Sequence, residues 1–196
     1  LFAVAERAAL VAPLSRHVVA RALEDAVTWP EGLTLSLNIT PEELGDPRFA
    51  ADFAALIGRS EIAPQRLMLE ITEDLLLRNL AQAASALKAL RGLGFRTALD
   101  DFGAGFCNFR YLKLLALDML KLDRSMIEGI EVDPRDRAVL RAIVAMAGAL
   151  DLTVVTEGIE NEAQRMIAAE EGCTLYQGYL GSPPLSPEAF LDLVGD

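Results

Sequence analysis

Short apolar segments alternate with longer amphipathic segments along this chain. The apolar segments predict six strands, at residues 33–37, 67–71, 95–99, 119–122, 152–155 and 175–176. Helical periodicity and capping signals predict helices at residues 11–29, from 40, 46–57, 80–93, 111–115, 133–150, 161–172 and from 186. Strands that alternate with helices, without a hairpin signal, predict a parallel sheet with right-handed crossovers.

Two α/β architectures fit this alternation, a (β/α)8 barrel and a doubly wound sheet. No Gly-x-Gly-x-x-Gly motif follows the first predicted strand, which weakens the dinucleotide-binding reading. Six units are fewer than a closed barrel needs, so one or two strands are expected to precede the first residue. The 196 residues are enough for one domain, and we interpret residues 1–196 as a single domain of a longer protein.

The composition of the chain argues against several kinds of ligand and metal site. The chain has 52% hydrophobic residues, and its net charge of -11 argues against a nucleic-acid duplex or an anionic membrane as ligand. Two cysteines, Cys107 and Cys173, are too few for a disulfide scaffold and are typical of a reducing, cytoplasmic location. The single histidine, His17, argues against a histidine-rich zinc site. No apolar run reaches the length of a membrane span, so membrane insertion of this domain is not expected.

Two adjacent carboxylates, Asp100 and Asp101, follow one of the predicted strands. They precede a loop with two glycines, Gly103 and Gly105, which allow a tight turn or a close approach to a ligand. Adjacent carboxylates repel each other unless a cation lies between them, and Mg²⁺ or Mn²⁺ prefers such oxygen ligands. The alternative is an acidic turn that caps the next helix.

Polar residues recur where the predicted strands end, at Asn38, Glu70, Asp100 with Asp101, Lys121, Glu157 and Gln177. In a barrel these ends meet on the face where active sites lie. Glu70 and Lys121 are each flanked by apolar residues, where an unpaired charge is costly. A structural Glu70–Lys121 ion pair is one explanation, and Glu73 alone fits the first turn of a helix. The four carboxylates, with the amide of Asn38 and the lysine on the same face, instead predict two metal ions that act on a phosphate ester.

Six motifs that span nearly the whole chain resemble the EAL family of cyclic di-GMP phosphodiesterases. They are Ser36-Leu-Asn-Ile-Thr40, Leu69-Glu-Ile-Thr-Glu73, Ala98-Leu-Asp-Asp-Phe-Gly-Ala-Gly-Phe106, Leu120-Lys-Leu-Asp-Arg-Ser125, Val155-Thr-Glu-Gly-Ile-Glu160 and Gln177-Gly-Tyr-Leu180. The resemblance implies a TIM-like (β/α)8 barrel with one antiparallel strand. It also implies hydrolysis of cyclic di-GMP to linear pGpG, by in-line attack of a water activated by two metal ions, Mg²⁺ or Mn²⁺.

The resemblance assigns roles to individual residues. Asn38, Glu70, Asp100, Asp101 and Glu157 correspond to metal ligands, with Asp100 shared between the two ions; Lys121, Asp101 and Glu157 correspond to catalytic residues; and Glu73, Asp123, Glu160 and Gln177 correspond to residues that support the loops or the substrate. Lys121 corresponds to the lysine that holds the attacking water and the phosphate. Ca²⁺ is expected to occupy the metal site without supporting turnover.

The chain also departs from the family pattern. The Glu-Ala-Leu tripeptide is absent, and we expect it upstream of Leu1 with its strand. The loop Gly103-Ala-Gly-Phe-Cys-Asn108 lacks the usual hydroxyl side chains, and Gly181-Ser-Pro-Pro184 lacks the usual arginine. The alternative function is a degenerate domain that serves as a cyclic di-GMP receptor or a protein-interaction module. The resemblance further implies a bacterial signalling protein with a sensory or GGDEF domain, a homodimer, and a parent chain that can be membrane-anchored.

Overall fold

The computed structural model describes residues 11–73, 79–105 and 109–195. Six strands lie in one sheet: β1 Leu35–Asn38, β2 Leu67–Thr72, β3 Arg96–Phe102, β4 Met119–Leu122, β5 Thr153–Thr156 and β6 Leu175–Tyr176. The helices are α1 Val11–Ala26, α2 Pro41–Gly45, α3 Phe49–Ile57, α4 Leu80–Gly92, α5 Phe109–Leu112, α6 Pro134–Gly148, α7 Glu162–Glu170 and α8 Pro187–Val194, with short 3-10 turns at Pro64–Arg66 and Arg124–Met126.

The strands follow one another in chain order, and every neighbouring pair is parallel. A doubly wound sheet requires the strand order to reverse, so the described part of the chain excludes it. The sheet curls into a half-barrel, which confirms the predicted parallel α/β fold with six strands. The antiparallel strand implied by the resemblance is not among the described strands.

Four helices begin where their capping residues predicted. Thr40 accepts a hydrogen bond from the Glu43 backbone N–H, and Glu43 accepts one from the Thr40 N–H, which forms a capping box. Asp133, Asn161 and Ser186 cap α6, α7 and α8 in the same general way, each through a side-chain oxygen. These caps satisfy backbone donors that the first turn of a helix leaves without intrahelical partners.

The main hydrophobic core lies between the sheet and the helices. Along β2, Leu67, Leu69 and Ile71 alternate toward this core and are fully buried. On β4, Leu120 and Leu122 face the same layer, whereas the residue between them, Lys121, faces the other side. Among the described residues, no helix is both long and apolar enough to cross a lipid bilayer.

Several predicted boundaries were wrong, including those of one strand and two helices. The helix expected from Asp46 begins at Phe49, because Asp46 ends α2 and its side chain accepts a hydrogen bond from the Arg48 N–H. The strand expected to end at Leu99 continues to Phe102. The helix expected at residues 111–115 spans Phe109–Leu112, and hydrogen-bonded turns follow it.

Candidate active site

The strand register gathers the predicted polar residues at one edge of the sheet. Asn38 pairs with Glu70 across β1 and β2, and Lys121 pairs with Val155, two residues before Glu157. Paired residues of parallel strands point to the same side, so these side chains lie on the face opposite the helices. Gln177 follows directly after β6 at the same edge.

A β-bulge brings Asp100 and Asp101 to the same site. Leu99 pairs with Leu120 and Phe102 pairs with Leu122, so β3 contains one residue more than β4 over this interval. Asp101 takes the extra position with a φ of 55°, a left-handed conformation that few non-glycine residues adopt. Neighbouring residues of a regular strand point to opposite faces, and a bulge redirects one of them. The bulge therefore allows both carboxylates to serve one site.

Lys121 is the centre of the polar cluster. Its Nζ lies 3.1 Å from Glu70 Oε2, 2.8 Å from Asp100 Oδ1 and 2.7 Å from Glu157 Oε1. Lys121 and Glu70 are each less than a tenth exposed. The structural ion pair considered from the sequence is therefore present, but it is one contact of three. One buried ammonium faces three carboxylates, which leaves the cluster with excess negative charge.

The surroundings shift the pKa of two of these groups. Burial alone would lower the pKa of Lys121, but its hydrogen bonds to Asp100 and Glu157 and the charge of Glu70 outweigh this and raise it. Burial raises the pKa of Glu157; Lys121 opposes this increase, and the charges of Asp100 and Asp101 add to it. Lys121 therefore keeps its positive charge, whereas Glu157 binds a proton more readily than an exposed glutamate.

Three carboxylates form a donor set of the kind that divalent cations use. One oxygen each of Asp100, Asp101 and Glu157 lies within 4.8 Å of the other two. Carboxylate oxygens are hard ligands that suit Mg²⁺ or Mn²⁺ better than softer metal ions. Their uncompensated charge also favours a cation, so the residues present fit the predicted metal ions.

The predicted supporting residues lie around this cluster. Glu73 is buried directly after β2, and the loop it was predicted to anchor is described only as far as Gly105, so that role stays a prediction. Asp123 accepts hydrogen bonds from the Ser125 N–H and hydroxyl, at 2.9 and 2.5 Å, and caps the turn after β4. Hydrogen bonds from the Ser125 side chain and backbone lower the pKa of Asp123 despite partial burial. Glu160 is exposed and forms an ion pair with Arg124.

The loops after β5 and β6 are joined by backbone hydrogen bonds. The Ile159 N–H donates to the Gln177 carbonyl at 3.1 Å, and the Leu180 N–H donates to the Ile159 carbonyl at 3.1 Å. A Cβ on Gly178 would lie 2.5 Å from the Ile159 nitrogen, so only glycine fits this close approach. Gln177 is therefore held in a fixed position relative to the loop that carries Glu157.

Arg124 and Met126 contact the loops that follow the acidic residues, and neither was predicted as a site residue. The available signal was weak. Arg124 directly follows Asp123 in a predicted motif, and the glycines that it and Met126 cover, Gly158 and Gly103, lie just beyond the carboxylates.

The curled parallel sheet and the acidic cluster at its carboxyl edge define a TIM-like α/β domain with a candidate divalent-cation site. The EAL-domain family model matches residues 1–184, and this chain belongs to the EAL-domain family. The resemblance seen in the sequence motifs is thereby confirmed.

Named relatives and solved structures agree with this assignment. Cyclic di-GMP phosphodiesterase RocR of Pseudomonas aeruginosa is 36% identical over 160 residues, which are 82% of this chain and 41% of RocR. The structure of the PaMucR phosphodiesterase in its c-di-GMP complex has a TM-score of 0.89 and 29% identity, and the match covers 97% of this chain and 79% of PaMucR. Klebsiella pneumoniae BlrP1, in a manganese/cy-diGMP complex, has a TM-score of 0.79 and 27% identity over 86% of this chain and 43% of BlrP1.

The curated relatives are longer than this chain. It spans 22%, 24% and 41% of the length of three that it matches. The shared part is thus less than half of each of these relatives.

Proposed function

We propose that this chain hydrolyses cyclic di-GMP to linear pGpG. The observation that carries the proposal is the Lys121 ammonium, which lies within 3.1 Å of three carboxylates on one face of the half-barrel. A permanent positive charge amid acidic ligands suits a phosphodiester, whose negative charge grows in the transition state. Relatives named as cyclic di-GMP phosphodiesterases support this choice of substrate.

Two divalent cations, Mg²⁺ or Mn²⁺, fit the proposal. Asp100, Asp101 and Glu157 offer the donor set described above, and Asn38 and Glu70 lie at the same edge as further ligands. When bound, such ions lower the pKa of water and offset charge on the phosphate and on the leaving oxygen.

The residues of the chain supply orientation and proton transfer. Lys121 is held by carboxylates on three different strands or strand ends, which take up its three N–H donors. With cations bound at these carboxylates, the ammonium would direct a released donor to a phosphate oxygen. Glu157, whose pKa is raised by burial, accepts the proton from the attacking water. As the water oxygen bonds to phosphorus, the bond from phosphorus to the ribose oxygen on the opposite side breaks, and the ribose oxygen leaves with the electron pair and takes up a proton from solvent. Glu160 and Gln177 support the bound substrate at the same edge of the sheet.

The wider setting follows from the family. We propose that this EAL domain belongs to a longer bacterial signalling protein with a sensory or GGDEF domain, in keeping with the greater length of its relatives. A cytoplasmic location gives the domain access to a cytoplasmic nucleotide. A homodimer stays a prediction that the chain's sedimentation would test.

The test uses the domain within its natural full-length protein. Chromatography would follow cyclic di-GMP and pGpG with Mg²⁺ or Mn²⁺ present. Glu157→Gln keeps the shape of the side chain but removes the proton acceptor, and its rate is expected to fall by about 10²–10⁴. The matched control is Glu162→Gln on α7, an exposed glutamate paired with Arg165, and its rate is expected to equal that of wild type.

Two results would contradict the proposal in different ways. Wild-type protein that binds cyclic di-GMP but does not cleave it would favour the receptor function. Equal rates for wild type and Glu157→Gln would leave hydrolysis intact but would rule out Glu157 as the proton acceptor.

A further inference from the structure

A short turn lies between the two acidic loops of the candidate site. The 3-10 turn Arg124–Met126 follows directly after β4, the strand that carries Lys121. Asp123 caps it, because its carboxylate accepts a hydrogen bond from the Ser125 N–H. The turn is therefore rigidly joined to the strand that holds the central ammonium.

One side of the turn packs on the loop after Asp101. Gly103 has a φ of 105°, and a Cβ at this position would lie 2.6 Å from Met126 Cγ. Such a distance is far below van der Waals contact, so the Met126 side chain covers bare backbone at Gly103. The backbone also connects the two segments, since the Asp123 N–H donates to the Phe102 carbonyl at 3.0 Å.

The other side of the turn packs on the loop after Glu157. Gly158 has a φ of 70°, and a Cβ there would lie 2.6 Å from Arg124 Cγ and 2.8 Å from Arg124 Cβ. The Arg124 guanidinium then pairs with Glu160 through Nη1 at 2.9 Å and with Glu128 through Nε at 2.8 Å. The aliphatic part of the Arg124 side chain thus lies across Gly158, and its guanidinium is held by Glu128 and Glu160.

We infer that Arg124 and Met126 are positioning residues that fix the separation of Asp101 and Glu157 around Lys121. Each packs on the glycine that lies one or two residues beyond one of these carboxylates. The inference rests on the proposed function, because it gives the turn a role only if the carboxylates act together on a metal ion and substrate.

Stability alone does not account for the ion pair of Arg124 with Glu160. The Arg124 and Glu160 side chains are 56% and 47% exposed, and ion pairs this exposed contribute little to folding. In contrast, replacing a residue that contacts and orients a metal ligand typically changes metal affinity or activity by about 10- to 100-fold. A purely structural role therefore predicts a change in stability, whereas a positioning role predicts a change in metal affinity or activity, for the same substitutions.

The experiment compares Arg124→Ala and Met126→Ala, singly and together, with wild type in the full-length protein. Arg124→Lys and Met126→Leu keep the packing stem and serve as conservative variants. Arg165→Ala removes an exposed arginine of α7 that pairs with Glu162, and it is the matched control. The readouts are Mn²⁺ affinity from electron paramagnetic resonance, kcat and KM for cyclic di-GMP, and the urea midpoint of unfolding.

We expect the double variant to bind Mn²⁺ about tenfold more weakly and to lose kcat by a similar factor, with KM little changed. The conservative variants should recover most of both. Arg124→Ala should shift the urea midpoint no more than Arg165→Ala, whereas Met126→Ala should lower it further, because Met126 packs against the hydrophobic core. Unchanged Mn²⁺ affinity and kcat in a folded double variant would overturn the inference. Should the double variant not fold, the single variants decide by the same criteria.

Different results would refute the proposed hydrolysis of cyclic di-GMP and the positioning role of Arg124 and Met126. If wild type binds Mn²⁺ but cleaves nothing, the proposed function is refuted, and Mn²⁺ affinity alone judges Arg124 and Met126. If wild type cleaves and the variants behave like wild type, only the positioning role is refuted. A wild-type protein without Mn²⁺ binding or cleavage would overturn both.

Discussion

Replacing Lys121 with methionine removes the charge at the centre of the site and keeps most of the side-chain volume. The substitution leaves Glu70, Asp100 and Glu157 without the ammonium that lies 2.7 to 3.1 Å from them. Breaking a buried ion pair from one side typically costs about 3–5 kcal/mol. Because Asp100 and Glu157 are 13% and 19% exposed and can regain some solvent, we expect the lower end, about 3 kcal/mol.

Thermal unfolding would measure this loss. In a domain of this size about 1 kcal/mol shifts the midpoint by roughly 2–4 °C, so a decrease of about 6–12 °C is expected in EDTA. Added Mn²⁺ should recover part of this loss in Lys121→Met, because a cation replaces the missing positive charge. Lys88→Met on α4 removes an exposed lysine and should shift the midpoint very little.

The same variant tests the chemistry. Loss of one electrostatic contact to the developing charge typically lowers kcat by about 10²–10³. The expected change is therefore in the cleavage rate of cyclic di-GMP, with a smaller change in its binding. Cleavage by Lys121→Met at the wild-type rate would refute the role of Lys121, and unfolding at the same temperature as Lys88→Met would refute its electrostatic contribution.

Three further predictions concern other parts of the chain. Because Asp101 has a φ of 55°, Asp101→Val should lower the free energy of unfolding in urea by about 1–3 kcal/mol, whereas Asp101→Asn, which tolerates this conformation, should not. Hydrogen bonds from Arg141 and Arg137 lower the pKa of Glu171 from 4.5 to about 2. Its contribution to stability is thus complete above pH 4.5 and disappears as the pH falls toward 2, so the urea midpoints of wild type and Glu171→Gln should converge over that range. Equal separation of the midpoints at every pH would contradict this. Burial raises the pKa of Cys173 to about 11, so iodoacetamide at pH 8 should label it far more slowly in folded than in urea-unfolded protein, as mass spectrometry would show.

Local signals in the sequence predicted much of the fold. Strand β4 has the predicted bounds Met119–Leu122, and Thr40, Asp133 and Asn161 cap helices as expected. These features depend on residues a few positions apart, where periodicity and capping chemistry act directly. The parallel pairing of the strands also followed from the alternation of strands and helices, whereas their sequential order did not, because a doubly wound sheet fits the same alternation.

The sequence could place the polar residues on one face but could not predict their contacts. Lys121 meets Glu70 across 51 residues of chain, and the side-chain distances depend on the register of three strands. The bulge at Asp101 was equally invisible, because a single additional residue in β3 is detected only against its neighbour β4. The packing of Arg124 on Gly158 likewise depends on two loops that meet only in the folded chain.

The bulge in β3 makes the packing of the core independent of the additional carboxylate at Asp101. Leu99 and Phe102 both face the helix layer, although three positions separate them and a regular strand would turn them to opposite sides. Asp101 therefore takes an additional position in the register of β3 and β4, and a β3 shortened by that residue would still direct Phe102 into the core. Deleting Asp101 would therefore remove one carboxylate from the carboxyl edge of the sheet, while Leu99 and Phe102 would keep their places in the core.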